Sequence, residues 1–555
     1  MAGRCNVHVI AVGGTGESLL ADLDHESSLD PAVAGSKGAQ LAVARRSGLP
    51  VLPGFVVTAS TSRPHMRLGA VALSERGSGG ARLVVSGRPI EFAAALVEAG
   101  EGLAPELVAR SSTLLEGSGE WAGAFTSYLD LSPEELPKAV AGCWASAFSV
   151  DALERQEAAG IAPGSFDMAV LVQPALHPVW GGAAELRSDG TIVIHAVEGS
   201  PGPLLQGWDP GQTATGSPGS WEGELANHLD AATLDALADL LLETRSVLGA
   251  NRCEWAADRH QIWLLQMNTI IEREPAPAPS VGGTMEEWTP IVRSLLAAPG
   301  PLGAELILPW AMGSGVPEAS PREEVGADDL ETAIRLSREL AGLVWGMSPN
   351  EAMRAAQGAL EGLLGPQPEH SLRTITALRE PDPHRARELM ALVHGLRNRM
   401  VERGVVASPE TAWHLTPSEL RTALDGGHAS RNRVGSGRWE QLVAAIVLTH
   451  GCRETGAAAS PGLGAGLVHS VDARTASPAP RSVLYSETAA PVLSQLLWDA
   501  SGVVTHGGSP AAHLFESARS LGVPAVAGVE LAGAQSQIVA VDGFAGVVAT
   551  FTVGE

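Results

Sequence analysis

The stretch of residues 502–519, near the C-terminal end, constrains the fold most strongly. Its start, Gly-Val-Val-Thr at 502–505, predicts a short strand, and Gly-Gly-Ser-Pro at 507–510 predicts a turn. A helix is expected to begin at His513 and to stop at Gly522. Its apolar face consists of Leu514, Phe515, Ala518 and Leu521. A strand, a tight turn and a helix in this order predict an α/β arrangement.

His513 is the first candidate functional residue. A helix N-terminus offers free backbone N–H groups and the positive end of the helix dipole, which together can hold a phosphate. Arg519 follows six residues later, within reach of the same anion. From spacing alone, a surface histidine that caps a helix is the favoured interpretation.

Composition limits the class of protein. A chain of 555 residues has room for three or four domains, and a hydrophobic content of 45% allows large cores. The formal net charge of −25 argues against nucleic acid and anionic membranes as partners. No apolar run approaches the ~18 residues of a membrane span, and the chain starts without a signal-peptide pattern. The four cysteines lack metal or disulfide spacing. We therefore expect a soluble cytoplasmic protein.

Two upstream segments have the composition of phosphate-binding sites. Lys37 stands between glycines at a predicted helix start, where it can reach a polyphosphate. Arg110 begins an Arg-Ser-Ser run before a glycine loop at 117–123, and it offers a bidentate charge to a γ-phosphate. Solvated side chains on a turn and on a strand edge are the alternatives. A third glycine turn, at 13–16, lacks the Lys-Ser/Thr ending of a phosphate loop.

A predicted hairpin supplies a candidate metal site. Glu254 lies on its first strand and Gln266 on its second. A carboxylate oxygen and a carboxamide oxygen on adjacent strands can together hold the metal ion that neutralises bound phosphates. A surface position on the strand is the alternative for Glu254. The apolar run at 168–174, which contains Gln173, predicts another strand. Trp144 and Phe148 are predicted to be core residues.

Two stretches rich in Pro, Ala, Gly or Ser, at 272–284 and 456–466, predict linkers. They divide the chain into three predicted domains: 1–276, a mostly helical 285–455, and a domain at 467–555 that alternates strands and helices. The predicted fold class is therefore multidomain α/β. The helical part carries four polar residues that are candidates for binding an acceptor: His394, Arg397, Arg399 and His414.

These motifs together resemble those of the phosphoenolpyruvate synthase and pyruvate phosphate dikinase family. Thr505, His513 and Arg519 keep the spacing of its phosphohistidine motif, and Gly-Val-Pro-Ala-Val follows at 522–526. The resemblance covers nearly the whole chain in the family order. It implies an ATP-grasp domain at 1–276, an acceptor-binding helical domain, and a C-terminal phosphohistidine swivelling domain. The middle part resembles a shortened version of the antibiotic-phosphorylating branch typified by rifampin phosphotransferase.

The resemblance also implies cofactors and residue roles. ATP and Mg²⁺ are expected, with Glu254 and Gln266 at the metal. The residues implied to bind ATP are Lys37, Arg110, Gln173, Glu254 and Gln266. His513 is implied to carry the phosphoryl group, assisted by Thr505 and Arg519.

In this family ATP phosphorylates the histidine, and the swivelling domain hands the phosphoryl group to an acceptor, leaving AMP and phosphate. We therefore expect a dikinase-type phosphotransferase that acts on a hydroxyl or carboxyl group of a small molecule. The chain ends 36 residues after Arg519, without the barrel domain of the pyruvate enzymes. Pyruvate is thus not the expected acceptor, unless a partner chain completes the acceptor site.

Three departures from the family pattern keep other functions open. Asn268 stands where the family has a catalytic arginine, and Ala512 precedes the histidine where Ser, Thr or Cys is usual. Gly202 lies in a segment that lacks the family glutamate. The alternatives are an ATP-dependent ligase that works through a phosphorylated acceptor, and a binding protein that has lost catalysis.

Overall fold

The computed structural model describes residues 10–11, 18–117, 119–270, 281–298, 300–363, 368–406, 408–427, 438–472, 481–531 and 537–552. The density of contacts divides the chain into two units. The first unit comprises Met1–Glu274, Glu487–Trp498 and Gly507–Leu521. The second comprises Pro275–Ser486, Asp499–His506 and Gly522–Glu555. The predicted glycine turn at 13–16 and most of the predicted linker at 272–284 lie outside the described residues.

The first unit contains two six-stranded antiparallel sheets. Strands of the first sheet are β1 Ile10–Ala11, β2 Ser18–Asp22, β3 Phe55–Val57, β4 Leu107–Thr113, β5 Ser127–Leu131 and β6 Met168–Pro174. Their order is β1-β2-β3-β6-β4-β5. Strands of the second sheet are β7 Trp180–Leu186, β8 Ile192–Glu198, β9 Gln212–Ser217, β10 Ser220–Glu222, β11 Arg252–Ala257 and β12 Ile262–Asn268. Their order is β10-β9-β8-β7-β11-β12, so the predicted hairpin is present as β11 and β12.

Seven α-helices accompany these sheets in the described part of the first unit before residue 271. They are α1 Pro31–Arg46, α2 Arg63–Gly87, α3 Ala93–Glu101, α4 Leu136–Ser146, α5 Val150–Ala159, α6 Gly202–Leu205 and α7 Ala231–Leu248. Helix α1 shares one core with both sheets, because Leu41 packs in the same cluster as Val56 of β3 and Ile194 of β8. A second core holds Trp144 and Phe148, as predicted.

The second unit begins with helices. They are α8 Met285–Ala297, α9 Gly300–Leu306, α10 Leu308–Ala311, α11 Ala327–Trp345, α12 Pro349–Leu363, α13 Pro368–Thr376, α14 Pro383–Glu402, α15 Pro417–Leu424 and α16 Arg438–His450. Short 3₁₀ helices occur in both units, at Glu26–Leu29, Ala59–Ser62, Leu115–Gly117, Gly119–Trp121, Pro133–Glu135, Glu224–Asn227, Thr411–His414 and Pro491–Asp499. None of the helices in the described ranges combines the length and hydropathy that a membrane span needs.

An eight-stranded mixed sheet completes the second unit. Its strands are β13 Cys452–Thr455, β14 Ala457–Ser460, β15 Leu463–Ser470, β16 Val483–Ser486, β17 Gly502–Thr505, β18 Ala525–Ala527, β19 Gln537–Asp542 and β20 Val547–Thr552. The order is β13-β20-β19-β15-β16-β17-β18-β14, with β15 to β18 parallel. The helix α17, His513–Leu521, belongs to the first unit, and Gly522 ends it in the left-handed region at φ 71°.

The prediction of a linker at 456–466 is wrong, because this stretch holds β14 and the start of β15. Its small residues serve close packing between neighbouring chain segments. A Cβ on Gly464 would lie 1.8 Å from the Ser501 carbonyl oxygen, and one on Gly466 would lie 2.3 Å from that of Arg481. Glycine-rich composition therefore reflects tight strand packing here rather than a flexible connection.

A glycine near the start of α1 positions Lys37. Gly35 interrupts the helix at φ 68°, and a Cβ there would lie 2.2 Å from the carbonyl oxygen of Ser112 in β4. The Ser112 hydroxyl accepts a hydrogen bond from the Gly38 amide at 3.0 Å and donates one to the Ala34 carbonyl oxygen at 2.7 Å. This close crossing brings the start of α1 against β4.

We expect Gly35→Ala to destabilise the protein more than Gly77→Ala does. Both glycines have φ 68° and ψ near 180°, a backbone region that is open essentially only to glycine, so both changes cost roughly 1–3 kcal/mol of backbone strain. Only Gly35 also meets backbone atoms, which adds roughly 1–3 kcal/mol; Gly77 has no atom within 4 Å of the added Cβ. Urea unfolding of both variants measures the difference, and equal losses of unfolding free energy would contradict the packing argument.

Candidate functional site

A cavity of about 540 Å³ in the first unit gathers most of the predicted site residues. Its volume lies in the range of small-molecule sites. The predicted residues that line it are Lys37, Arg110, Gln173, Glu254, Gln266 and His513. They come from α1, from strands of both sheets and from α17, although they are distant in sequence. Apolar side chains, including Leu52, Phe125 and Leu205, line other parts of the wall.

Lys37 forms an ion pair with Glu116, a residue that the sequence analysis did not single out. The Lys37 ammonium also donates a hydrogen bond to the Ser111 carbonyl oxygen at 3.4 Å. The second carboxylate oxygen of Glu116 accepts from the Thr113 amide at 2.9 Å, which fixes the carboxylate. An anion that binds Lys37 must therefore compete with Glu116.

Arg110 and Glu254 lie on opposite sheets of the same cavity. The Arg110 guanidinium donates to the Leu265 carbonyl oxygen at 2.7 Å and to Gln266 Oε1 at 2.9 Å. Burial lowers the pKa of Arg110, while the charge of Glu254 opposes that shift. Glu254 pairs directly across the hairpin with Gln266. It is 4% exposed, and its Oε1 has no hydrogen-bond partner among the described residues.

Gln173 and Gly202 also line the cavity. The amide of Gln173, in β6, donates to the Leu52 carbonyl oxygen at 3.0 Å. Gly202 begins the one-turn helix α6, and its amide donates to the Ser200 hydroxyl at 3.3 Å. The wall thus presents polar backbone and hydroxyl groups at the position where the family pattern has a glutamate.

His513 begins α17 with 18% of its side chain exposed, on the cavity wall. Its Nδ1 lies 3.4 Å from Oε2 of Glu516, one turn later on the helix. The loop after Arg-Ser-Ser covers this helix closely. A Cβ on Gly119 would lie 2.3 Å from the Ser520 hydroxyl, and Gly123, which packs against His513, has a φ of 67° that favours glycine. The glycines therefore permit the close approach of the loop to α17.

A buried charge network holds α17 in place. Arg252 of β11 donates to the Ala511 carbonyl oxygen at 2.6 Å. Its guanidinium lies 3.5 Å from Glu185 Oε1 and 3.7 Å from Glu516 Oε2. The Asn268 amide donates to the other oxygen of Glu516. Burial alone would raise the pKa of Glu516, but Arg252 and His513 lower it to about 2, so its carboxylate is ionised at neutral pH.

Arg519 and Thr505 do not line the cavity. The Arg519 guanidinium is buried; it donates to the Pro510 carbonyl oxygen at 3.1 Å and lies 3.7 Å from Glu185 Oε1. Burial alone would raise the pKa of Glu185, but Arg519 and Arg252 bring it below its ordinary value. Thr505 is fully buried in β17 of the second unit. Arg519 therefore supports the buried network, and the predicted catalytic roles of both residues stay predictions.

The sequence contained a signal for some of the site residues that the sequence analysis did not single out, but not for all of them. Glu516 is three residues after His513, so it lies on the same helix face, and an acidic residue inside an apolar helix was a signal. Arg252 is two residues before Glu254, so both face the same side of β11. Glu185 is the cross-strand partner of Arg252, and this pairing has no signal in the local sequence.

Of the four polar residues that were predicted to bind an acceptor, those whose side chains the structure describes do not line the cavity found in the second unit. A cavity of about 650 Å³ is lined by residues such as Arg293, Gly315 and Glu380. Arg397 instead stacks over Trp413 at 4.3 Å and donates to a backbone carbonyl. The remaining candidates are His394, which contacts the Ala319 carbonyl oxygen, Arg399, which pairs with Glu402, and His414, whose side chain lies outside the described part of the structure.

His195 of β8, near the network, predicts a pH dependence of stability. Burial lowers its pKa to about 4 from an ordinary 6.5, so the folded chain keeps it neutral while the unfolded chain protonates it. The unfolding free energy contributed by this group is complete above pH 6.5 and falls by about 3 kcal/mol as the pH approaches 4. Denaturation between pH 4 and 7 should show a smaller loss in His195→Gln. The exposed His260 supplies the control His260→Gln, and identical profiles for all three proteins would contradict the assignment.

Comparisons with known proteins identify two segments. Residues 89–200 match the family described as pyruvate phosphate dikinase, AMP/ATP-binding domain. Residues 478–546 match the PEP-utilising enzyme, mobile domain. Among solved structures, "NMR solution structure of Enzyme I (nEIt) protein using two 4D-spectra" matches at 13% identity with a TM-score of 0.13, over 42% of this chain and 83% of that chain. No curated protein sequence matches.

The first matched segment contains Arg110 and Gln173, and the second contains His513. The first description includes the binding of AMP or ATP, and the second includes the use of PEP. The chain therefore contains two segments that match domains of the phosphoenolpyruvate synthase and pyruvate phosphate dikinase family.

Proposed function

We propose that this protein is an ATP-dependent phosphotransferase in which His513 receives a phosphoryl group from ATP and passes it to a small molecule. One observation carries the proposal: His513 and the cationic side chains of Lys37 and Arg110 line the same cavity. Two cations suit a polyphosphate, and the apolar wall suits an adenine ring. The family match for ATP binding supports the same ligand.

Glu516 prepares the histidine for attack. An ionised carboxylate next to Nδ1 favours the neutral ring that carries its proton on Nδ1, which leaves the lone pair on Nε2. Nε2 then forms a bond to the β-phosphorus while the bond from that phosphorus to the AMP oxygen breaks. Water attacks the γ-phosphorus of the resulting pyrophosphohistidine and releases it as phosphate. A phosphohistidine results, which divides one difficult transfer into two easier ones. In the second step an acceptor hydroxyl or carboxyl takes the phosphoryl group, so that AMP and phosphate are the other products.

Mg²⁺ fits the donor set that the cavity offers. Glu254 has a buried carboxylate oxygen without a hydrogen-bond partner in the described structure, and the paired strand carries Gln266, whose Oε1 accepts one hydrogen bond from Arg110 and keeps a second lone pair. Hard oxygen ligands of this kind hold Mg²⁺ together with substrate phosphates. The ion would neutralise the charge that develops on the phosphate oxygens.

A second candidate is a nucleotide-binding protein without transfer, and the position of Asn268 favours it. The family arginine is absent there, and Asn268 contacts Glu516 instead. Lys37 is similarly engaged with Glu116. In this alternative ATP binds, but His513 is not phosphorylated.

Incubation with ATP labelled with ³²P at the β-phosphate separates the two candidates. We expect an acid-labile label on the wild-type protein, because a phosphohistidine is hydrolysed in acid. His513→Ala should lose the label completely while it still binds ATP in calorimetry. His506→Ala is the matched control, since His506 is exposed and does not line the cavity, and it should keep the label.

Label that persists in His513→Ala would rule out the proposed carrier. ATP binding by the wild type without any label, with Mg²⁺ present, would favour the binding protein. The position of the isotope matters because the family pattern predicts that the β-phosphate stays on the histidine.

A further inference from the structure

Three side chains on the cavity wall are arranged like metal ligands. Glu254, His513 and Glu516 each offer one ligand atom, and these atoms all lie within 4.8 Å of one another. Both carboxylates are buried, at 4% and 3% exposure. Glu254 Oε1 has no hydrogen-bond partner among the described residues, although it is shielded from water. A buried carboxylate oxygen in this state lacks a compensating cation or donor.

The distance between His513 and Glu516 also supports a metal site. Nδ1 and Oε2 are 3.4 Å apart, at the long end of an N–H···O hydrogen bond, so the gap accommodates either the ring proton or a metal ion. Two ligand atoms at about 2.0–2.1 Å from a tetrahedral ion are separated by roughly 3.3–3.4 Å. The pair is therefore spaced for a shared metal ion, while Glu254 needs only a small side-chain movement to join them.

We propose that Glu254, His513 and Glu516 form a binding site for a divalent transition-metal ion such as Zn²⁺ or Co²⁺. One imidazole and two carboxylates match the donor preferences of these ions, whereas Mg²⁺ prefers oxygen ligands alone. Three protein ligands leave one position open to the cavity. Asn268, which donates to the other oxygen of Glu516, orients that carboxylate as an outer-sphere partner would.

The effect of this metal site on catalysis rests on the proposed function of His513. A metal ion on Nδ1 places the ring proton on Nε2, the atom that is proposed to receive the phosphoryl group. A ring that binds the metal ion through Nδ1 therefore has no free lone pair on Nε2 with which to attack phosphorus. A transition-metal ion would act as a reversible block on His513.

The test is titration of the metal-free full-length chain with Co²⁺, followed by displacement with Zn²⁺. All proteins carry Cys452→Ser, because the exposed Cys452 close to His450 can bind metal on its own. We expect one equivalent of Co²⁺ to give the visible absorption bands of a four-coordinate site. His513→Ala and Glu254→Gln should each weaken binding roughly tenfold or more, while His506→Ala should bind as the parent does.

Circular dichroism of each variant verifies that it is folded before its affinity is compared. Unchanged Co²⁺ affinity in both ligand variants, or a spectrum of six-coordinate Co²⁺ alone, would overturn the site. The titration contains no nucleotide, and the labelling experiment uses metal-stripped protein with Mg²⁺. Failure of one proposal can therefore be told apart from failure of the other.

Discussion

The rest of the site depends on the contacts that one buried group, the guanidinium of Arg252, makes. It donates to the Ala511 carbonyl oxygen, two residues before His513, and it lies between the carboxylates of Glu185 and Glu516. Removing one partner of such a buried pair typically costs 3–5 kcal/mol, because a charge is left without compensation. Arg252 thus fixes the start of α17, and with it the position of His513 on the cavity wall.

The same arrangement gives a physical reason for an unusual residue at the site. Asn268 pairs across the strands with Arg252, so an arginine at 268 would place two guanidinium groups side by side. A neutral amide avoids this repulsion and still donates to Glu516. An asparagine at 268 is therefore compatible with Arg252 and Glu516 beside it. Two other cationic side chains, Lys37 and Arg110, line the cavity.

Local patterns made much of this structure predictable. The strand, turn and helix at 502–521 and the hairpin at 252–268 follow from short-range periodicity and turn residues. The partner of Lys37 was not predictable, because Glu116 reaches it only through the crossing of α1 and β4. Nor was the pairing of Glu185 with Arg252, which depends on strand register. The stretch at 456–466 was misjudged because glycine serves flexible linkers and tightly packed strands alike.

The central claim is that ionised Glu516 holds the ring of His513 so that Nε2 is the atom that carries the phosphoryl group. The most direct test is NMR of the protein labelled with ¹⁵N at histidine after reaction with ATP, with detection of the coupling between ³¹P and ¹⁵N. The account predicts that phosphorus is bonded to Nε2 of His513. A bond to Nδ1, or to a different histidine, would contradict it.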